Sequence, residues 1–194
     1  GVIYEHNTVR SNVGVFDVSH MCQIMIKGEF AIDLVQKITT NDAAKLNDGD
    51  VQYSCMLNKN GGIIDDLLVY KISSDLFMLV VNASNAKKDF EWICSVNEYN
   101  LAITDITPQR GLLTVQGPNA LQLLQNLTSL KLDSISYYKF KIGSFADCKD
   151  VIISRTGYTG AGGFELYIQQ EDAEKVWNKI FDLQENIEPI GLAA

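Results

Sequence analysis

Apolar and polar residues along the chain fall into two rhythms, one alternating and one with a period near 3.6. "CQIMIKGEF" alternates as a strand, and "EFAIDLVQKI" then carries Phe30, Leu34, Val35 and Ile38 at helical spacing. "DVQYSCMLN" and "GGIIDDLLVYKI" read as two strands joined by the turn "NKNGG", a hairpin signal with glycine where a positive φ is needed. "LFMLVVN" is a third strand. "ASNAKKDFEWICSVNEY" is a helix with Ser84 or Asn85 as its expected cap. "LAITDI" and "GLLTVQG" read as strands, and "PNALQLLQNL" opens a helix with Pro118 in its first turn. "YYKFKIG", "DVIISR" and "GFELYIQ" are strands, and "DAEKVWNKIFDL" is a closing amphipathic helix.

Strands thus come in short groups with tight turns, each group followed by a helix. That order predicts an α+β fold of mostly antiparallel sheets with helices on one face. The pattern runs twice, over residues 20–98 and 101–185, which predicts two packed sub-domains, 1–98 and 99–194.

Composition narrows the classes. With 194 residues, 46% of them hydrophobic and 21% charged, the chain can bury a sizeable core. A net charge of -8 disfavours nucleic acid and anionic lipid surfaces as partners. No apolar run approaches the roughly 18 residues that cross a bilayer. "GVIYEHNTVR" lacks the basic and apolar regions of a signal peptide, so a cytosolic or organelle-matrix location is expected. Both ends read as cut from a longer segment. Cys22, Cys55, Cys94 and Cys148 lie far apart without a Cys-x-x-Cys pair, and structural buried thiols are expected rather than a metal site. His6 and His20 are the only histidines, and Ser19 beside His20 makes no catalytic triad.

Two stretches carry candidate chemistry. In "GGIIDDLLVYKI", alternation puts Asp65 on one face with Ile63, Leu67 and Val69, and Asp66 on the other with Ile64, Leu68 and Tyr70. Whichever face packs inward takes a carboxylate with it, at roughly several kcal/mol unless partners satisfy it. The bland alternative is a strand with one solvated and one locally bonded Asp. In "RTGYTGAGGFELY", glycines surround Tyr158 and a strand follows with Glu165. That is either a plain glycine-rich hairpin or a loop that lets backbone approach a flat ligand. It is neither a P-loop nor a GxGxxG helix start. Asp17 and Ser19 in "GVFDVSHM" suit a turn, and "TVQGPNA" suits a strand-to-helix connection.

"VGVFDVSHM", "NKNGGIIDDLLVY", "LVVNASNAKKDFEWI", "QGPNA" and "RTGYTG" followed by "GFE" stand in the order found in the aminomethyltransferase family, the T-proteins of the glycine cleavage system. The chain resembles the folate-binding core of that family over nearly its whole length, with the family's C-terminal β-barrel domain beyond it. The resemblance implies transfer of a methylene group from the aminomethylated lipoyl arm of H-protein to the co-substrate tetrahydrofolate, with release of ammonia. It implies that Asp65 is the catalytic carboxylate near N5 and N10 of folate, and that Glu165 binds the pterin edge. Tyr53, Tyr70 and Tyr158 would supply flat surfaces, Asn82 polar contacts, and Met21 a further ligand contact. No metal is implied. The location implied is the cytoplasm of a bacterium, or the mitochondrial matrix in a eukaryote. Two positions depart from the family: Ala161 stands where Glu is usual, and Cys22 where Gly or Thr is common. The resemblance also places an arginine for folate's glutamate tail beyond residue 194, so weak binding or inactivity is expected of this stretch alone. Folate-dependent demethylases, the folate-binding halves of dimethylglycine and sarcosine dehydrogenases, and a non-enzymatic iron–sulfur maturation factor share the core. The wording "FDVSHM" and "GGIIDD" favours the T-proteins, and Asp65 favours an enzyme.

Overall fold

The structure is a computed structural model that describes residues 1–183 and 187–194. In chain order its elements are α1 (Val2–Ser11), β1 (Val13–Asp17), β2 (Cys22–Lys27), α2 (Ala31–Ile38), β3 (Val51–Leu57), β4 (Ile63–Ser73), β5 (Leu76–Val81), α3 (Ala86–Ser95), β6 (Ala102–Asp105), β7 (Arg110–Gln116), α4 (Ala120–Leu124), β8 (Phe140–Phe145), β9 (Cys148–Ser154), β10 (Gly163–Gln169), α5 (Ala173–Phe181) and β11 (Ile187–Pro189). The expected α+β class is observed. Among the described residues, no helix is long and apolar enough to cross a membrane.

The chain divides into two units, residues 20–108 and residues 1–19 with 109–194. This replaces the expected boundary between residues 98 and 99. The reason is strand pairing: β6 closes the edge of its sheet against β2, and β1 pairs β7 nearly a hundred residues away.

In the 20–108 unit, five antiparallel strands lie in the order β3-β4-β5-β2-β6, so β4 is interior. The β3–β4 turn, residues 58–62, is held by Asn58, whose Oδ1 accepts from the backbone N–H of Asn60 and of Gly62 at 2.9 and 3.0 Å. Of the expected helical stripe, Leu34, Val35 and Ile38 of α2 are buried, each contributing roughly 1.5–3 kcal/mol, in one core with Ile24, Ile26, Leu67 and Val69, whereas Phe30 is the exposed N-cap. Along β4, Asp65, Leu67 and Val69 face this core, whereas Ile63 at the strand's start is 69% exposed, contrary to its expected facing. Of the two expected caps of α3, Ser84 and Asn85, Asn85 holds the N-cap position, yet its side chain makes no capping bond.

The other unit is a six-stranded sheet in the order β11-β1-β7-β10-β9-β8, antiparallel except where β11 runs parallel to β1. Val15, Val115, Phe164, Leu166 and Ile153 form its core with Leu124 of α4 and Val176 and Ile180 of α5. α1, β1 and β11 were not among the expected elements. Pro118 precedes the N-cap Asn119 rather than lying in the helix. The cysteines are all free; Cys22 and Cys148 are buried as expected, but Cys55 is half-buried and Cys94 exposed.

Gly117 joins β7 to α4 at φ +137, and a Cβ there would collide with the backbone oxygen of Asn12. Neither the dihedral nor the space suits another residue. Gly117→Ala is expected to lower folding stability by roughly 2–4 kcal/mol. A urea midpoint equal to the parent's would refute this.

Candidate functional site

The 20–108 unit gathers polar groups where β4, the end of β5 and the start of α3 meet. Leu67 of β4 lies opposite Val81 of β5, so Asn82, the next residue, comes alongside Asp65 and Asp66. Asp65 is 5% exposed. Its Oδ2 accepts the backbone N–H of Asn82 at 3.1 Å, and its Oδ1 accepts the side-chain amides of Asn82 and Asn85 at 2.9 and 2.7 Å. The Asn82 amide also donates to Asp66 Oδ1 at 2.9 Å and to the Asp66 carbonyl at 3.1 Å. Lys88 bridges outward from α3, donating to the carbonyl of Ile64 at 2.7 Å and to Asn85 Oδ1 at 3.0 Å. Asn85 thus gives up capping α3 to hold Asp65.

Desolvation pushes the Asp65 carboxyl up. The hydrogen bonds from Asp89, Asn82 and Asn85 outweigh it, and the net position is below the ordinary carboxylate value. Asp89, one turn beyond Asn85 on α3, goes the other way: burial, then its hydrogen bond and charge contact with Asp65, push it up to about 8. The two shifts run in opposite directions, favouring the ionised form at Asp65 and the protonated form at Asp89. Asp65 is therefore a fixed anion and a weak base.

Asp66, on the opposite face, is half-buried and accepts the Tyr53 hydroxyl at 2.7 Å. That bond is a diagonal cross-strand contact, since Tyr53 pairs Leu68 and Cys55 pairs Asp66. Tyr53 itself is 47% exposed, so part of its ring remains open. Tyr70 is 0% exposed and offers no open ring face, which corrects the expectation of a stacking surface there. The Asn82 amide is engaged with the two aspartates, a clamp rather than an open contact. Met21 is half-buried at the bend before β2.

In the other unit, Glu165 sits half-buried on β10, and Thr156 Oγ1 donates to its carboxylate while bonding Ser154 Oγ at 2.9 Å. Beside Thr156 is a cleft of about 310 Å³ lined by Gln116, Tyr137, Arg155 and the loop glycines. Gln116, 1% exposed, shapes this loop: its amide donates to Thr114 Oγ1 at 2.8 Å and its Oε1 accepts from Thr159 at 2.9 Å. A Cβ on Gly157 would run into that Gln116 side chain, so glycine is needed there for closeness as well as for its φ of +154. Tyr158 is fully exposed at the loop tip. Asp17 accepts the Ser19 backbone N–H at 3.0 Å, the local turn expected of it.

Sequence reading missed Asn85, Asp89 and Thr156. Asp89 had a signal: with Ala86, Phe90 and Ile93 it completes an i, i+3, i+4, i+7 stripe, so a carboxyl occupies a core position of the helix. Thr156 had none, because its partner lies on another strand.

The family profile described as the GCVT N-terminal domain matches residues 1–194. The aminomethyltransferase of Flavobacterium psychrophilum is 54% identical over 196 residues, covering 100% of this chain and 54% of the relative. The crystal structure of glycine cleavage system aminomethyltransferase T from Bartonella henselae superposes with a TM-score of 0.89 at 33% identity, covering 100% of this chain and 52% of that one. A heterotetrameric sarcosine oxidase from Corynebacterium sp. U-96 shares the fold at a TM-score of 0.66 and 13% identity. The chain spans about half the length of the curated relatives it matches.

The Asn82 clamp yields a stability prediction with a definite sign. Asp65 titrates below its ordinary value of 3.8, so its contribution is present above that value and lost as pH falls through the folded-state value. Asn82→Ala is expected to cost about 1–3 kcal/mol near pH 7. The deficit should shrink below about pH 4. Denaturant titrations of both proteins across this range measure it, and a deficit that grows in acid would contradict the assignment.

Proposed function

The chain belongs to the GCVT N-terminal domain family, and from that premise we propose that it serves methylene transfer from an aminomethyl group carried on a lipoylated protein to tetrahydrofolate, with release of ammonia. The observation that carries this reading is the buried Asp65, a carboxylate kept anionic by a shell of donors. Tetrahydrofolate brings two amines, and the transfer forms two carbon–nitrogen bonds while a carbon–nitrogen and a carbon–sulfur bond break; the two amine protons leave with ammonia and the thiol.

Asp65 stabilises the positive charge that grows on an attacking amine and orients that amine. Its depressed pKa makes it a poor proton acceptor, so its role is electrostatic. Asp66, tied to Tyr53 and the Asn82 amide, supports the strand rather than the reaction. Glu165 has the chemistry for a pterin edge: a carboxylate can accept two parallel N–H groups at once. Thr156 fixes its rotamer beside the cleft. Tyr158, at the exposed loop tip, and Tyr53 can stack on flat rings, and Met21 can add an apolar contact.

In the native full-length protein, Asp65→Asn is expected to lower folate-dependent ammonia release roughly a hundredfold or more while folding persists. Asp66→Asn should cost far less. The reverse ranking would overturn the assignment. Glu165→Gln leaves one ligand N–H unpaired and should weaken folate binding by about 1–3 kcal/mol. Calorimetry showing equal affinity would take Glu165 out of the site.

A further inference from the structure

Asp89 is the one acidic residue of α3 that is 0% exposed. Among the described residues, no N–H or O–H donor reaches either of its side-chain oxygens. A carboxylate in that position would be a buried charge without compensation. The polar group that faces it is the carboxylate of Asp65. Two acidic groups can share such a contact only with a proton between them.

The helix sets this geometry. Asn85 and Asp89 are four residues apart on α3, hence on the same face and one turn removed. Asn85 reaches Asp65 Oδ1 at 2.7 Å, so the helix face that carries both residues is turned toward Asp65. A carboxylate offers about four acceptor positions. Asn82 takes two, through its backbone and its amide, and Asn85 takes a third.

We propose that Asp89 is a positioning residue for the reaction at Asp65, its buried carboxyl donating an O–H hydrogen bond that completes the donor shell and fixes the Asp65 carboxylate in place and in its anionic form. The catalytic part of this rests on the reading of Asp65 given above; the hydrogen bond does not. Asp89 does not touch substrate and its proton is not consumed. It is the only member of the shell that can switch off, because an amide keeps its hydrogens at any pH and a carboxyl does not. With Asp89 up near 8, loss of its proton would set two like charges in contact and displace Asp65. The charged and titratable groups that share its surroundings are Asp65 on β4, Lys88 on α3 and Cys22 on β2. Lys88 favours the ionised form of Asp89. Burial pushes the Cys22 thiol up, so it stays neutral while Asp89 titrates.

Two readouts test this on the native full-length protein. In carboxyl-carbon NMR, Asp89 should keep its proton through neutrality and titrate in the mildly alkaline range, and Asp65 should move to higher pH in Asp89→Leu but little in Asp89→Asn, whose amide still donates. An Asp89 that titrates in the ordinary acid range overturns the proposal, whatever the activity. In the folate-dependent ammonia-release assay, Asp89→Leu should lose roughly ten- to a hundredfold. The parent's rate should fall in the alkaline range, and Asp89→Asn should recover most of the Asp89→Leu loss and remove the alkaline fall. Equal losses in the two variants, with the alkaline fall retained, would overturn the positioning role and leave Asp89 a packing residue. A parent protein that releases no ammonia, yet shows the NMR pattern, would refute the proposed function while upholding the carboxyl–carboxylate bond.

Discussion

Burying the carboxylate of Asp65 imposes a demand that much of the 20–108 unit is arranged to meet. Desolvating such a charge costs several kcal/mol, on the order of what the whole fold has to spare. Charge-assisted hydrogen bonds return roughly 1.5–3 kcal/mol each, so two or three donors are required before the site breaks even. Each donor comes from a different constraint. The β4–β5 register brings the Asn82 backbone N–H within reach. The strand ends there, which frees the Asn82 side chain to turn back onto both aspartates. α3 starts close enough that its first residues face β4, and Asn85 turns its amide N–H to Asp65 and its Oδ1 to Lys88 rather than to the helix's own N–H groups. A slip of one residue in the β4–β5 pairing would break several of these bonds at once.

The local elements of this arrangement were legible in the sequence, and the long-range ones were not. Period-two alternation in "GGIIDDLLVYKI" was enough to separate Asp65 from Asp66, because β4 is interior and one face must be apolar. The glycine–asparagine turn at residues 58–62 announced the hairpin. By contrast, β1, β11 and the discontinuous unit depend on pairings such as Gly14 with Gln116, which leave no local trace. Among side chains the same rule holds. Cap preference left Ser84 or Asn85 open; Asn85 takes the position, but its amide donates to Asp65, twenty residues upstream, and its Oδ1 accepts from Lys88. Tyr70 read as a polar aromatic open to a ligand, yet it pairs opposite Val51 and Met78 and is fully buried. The family resemblance supplied roles for Asp65 and Glu165, but not the residues that hold them.

Asp65 and Glu165 show how two carboxylates in one chain come to suit different tasks. Asp65 is enclosed, and three of its acceptor positions are taken by donors from Asn82 and Asn85, so it can neither rotate nor readily take a proton. What it can supply is a constant negative field, which is worth more in a site of weak screening than at a wet surface. Glu165 is only half-buried, beside a cleft, with the Thr156 hydroxyl fixing one of its oxygens. A group so placed can still exchange water for ligand N–H donors, and recognition by paired hydrogen bonds follows from that access. Burial therefore does not rank the two residues by importance. On the proposed reading it separates a group suited to hold a charge through a reaction from a group with the access to exchange water for a ligand, and the donors around each make that difference.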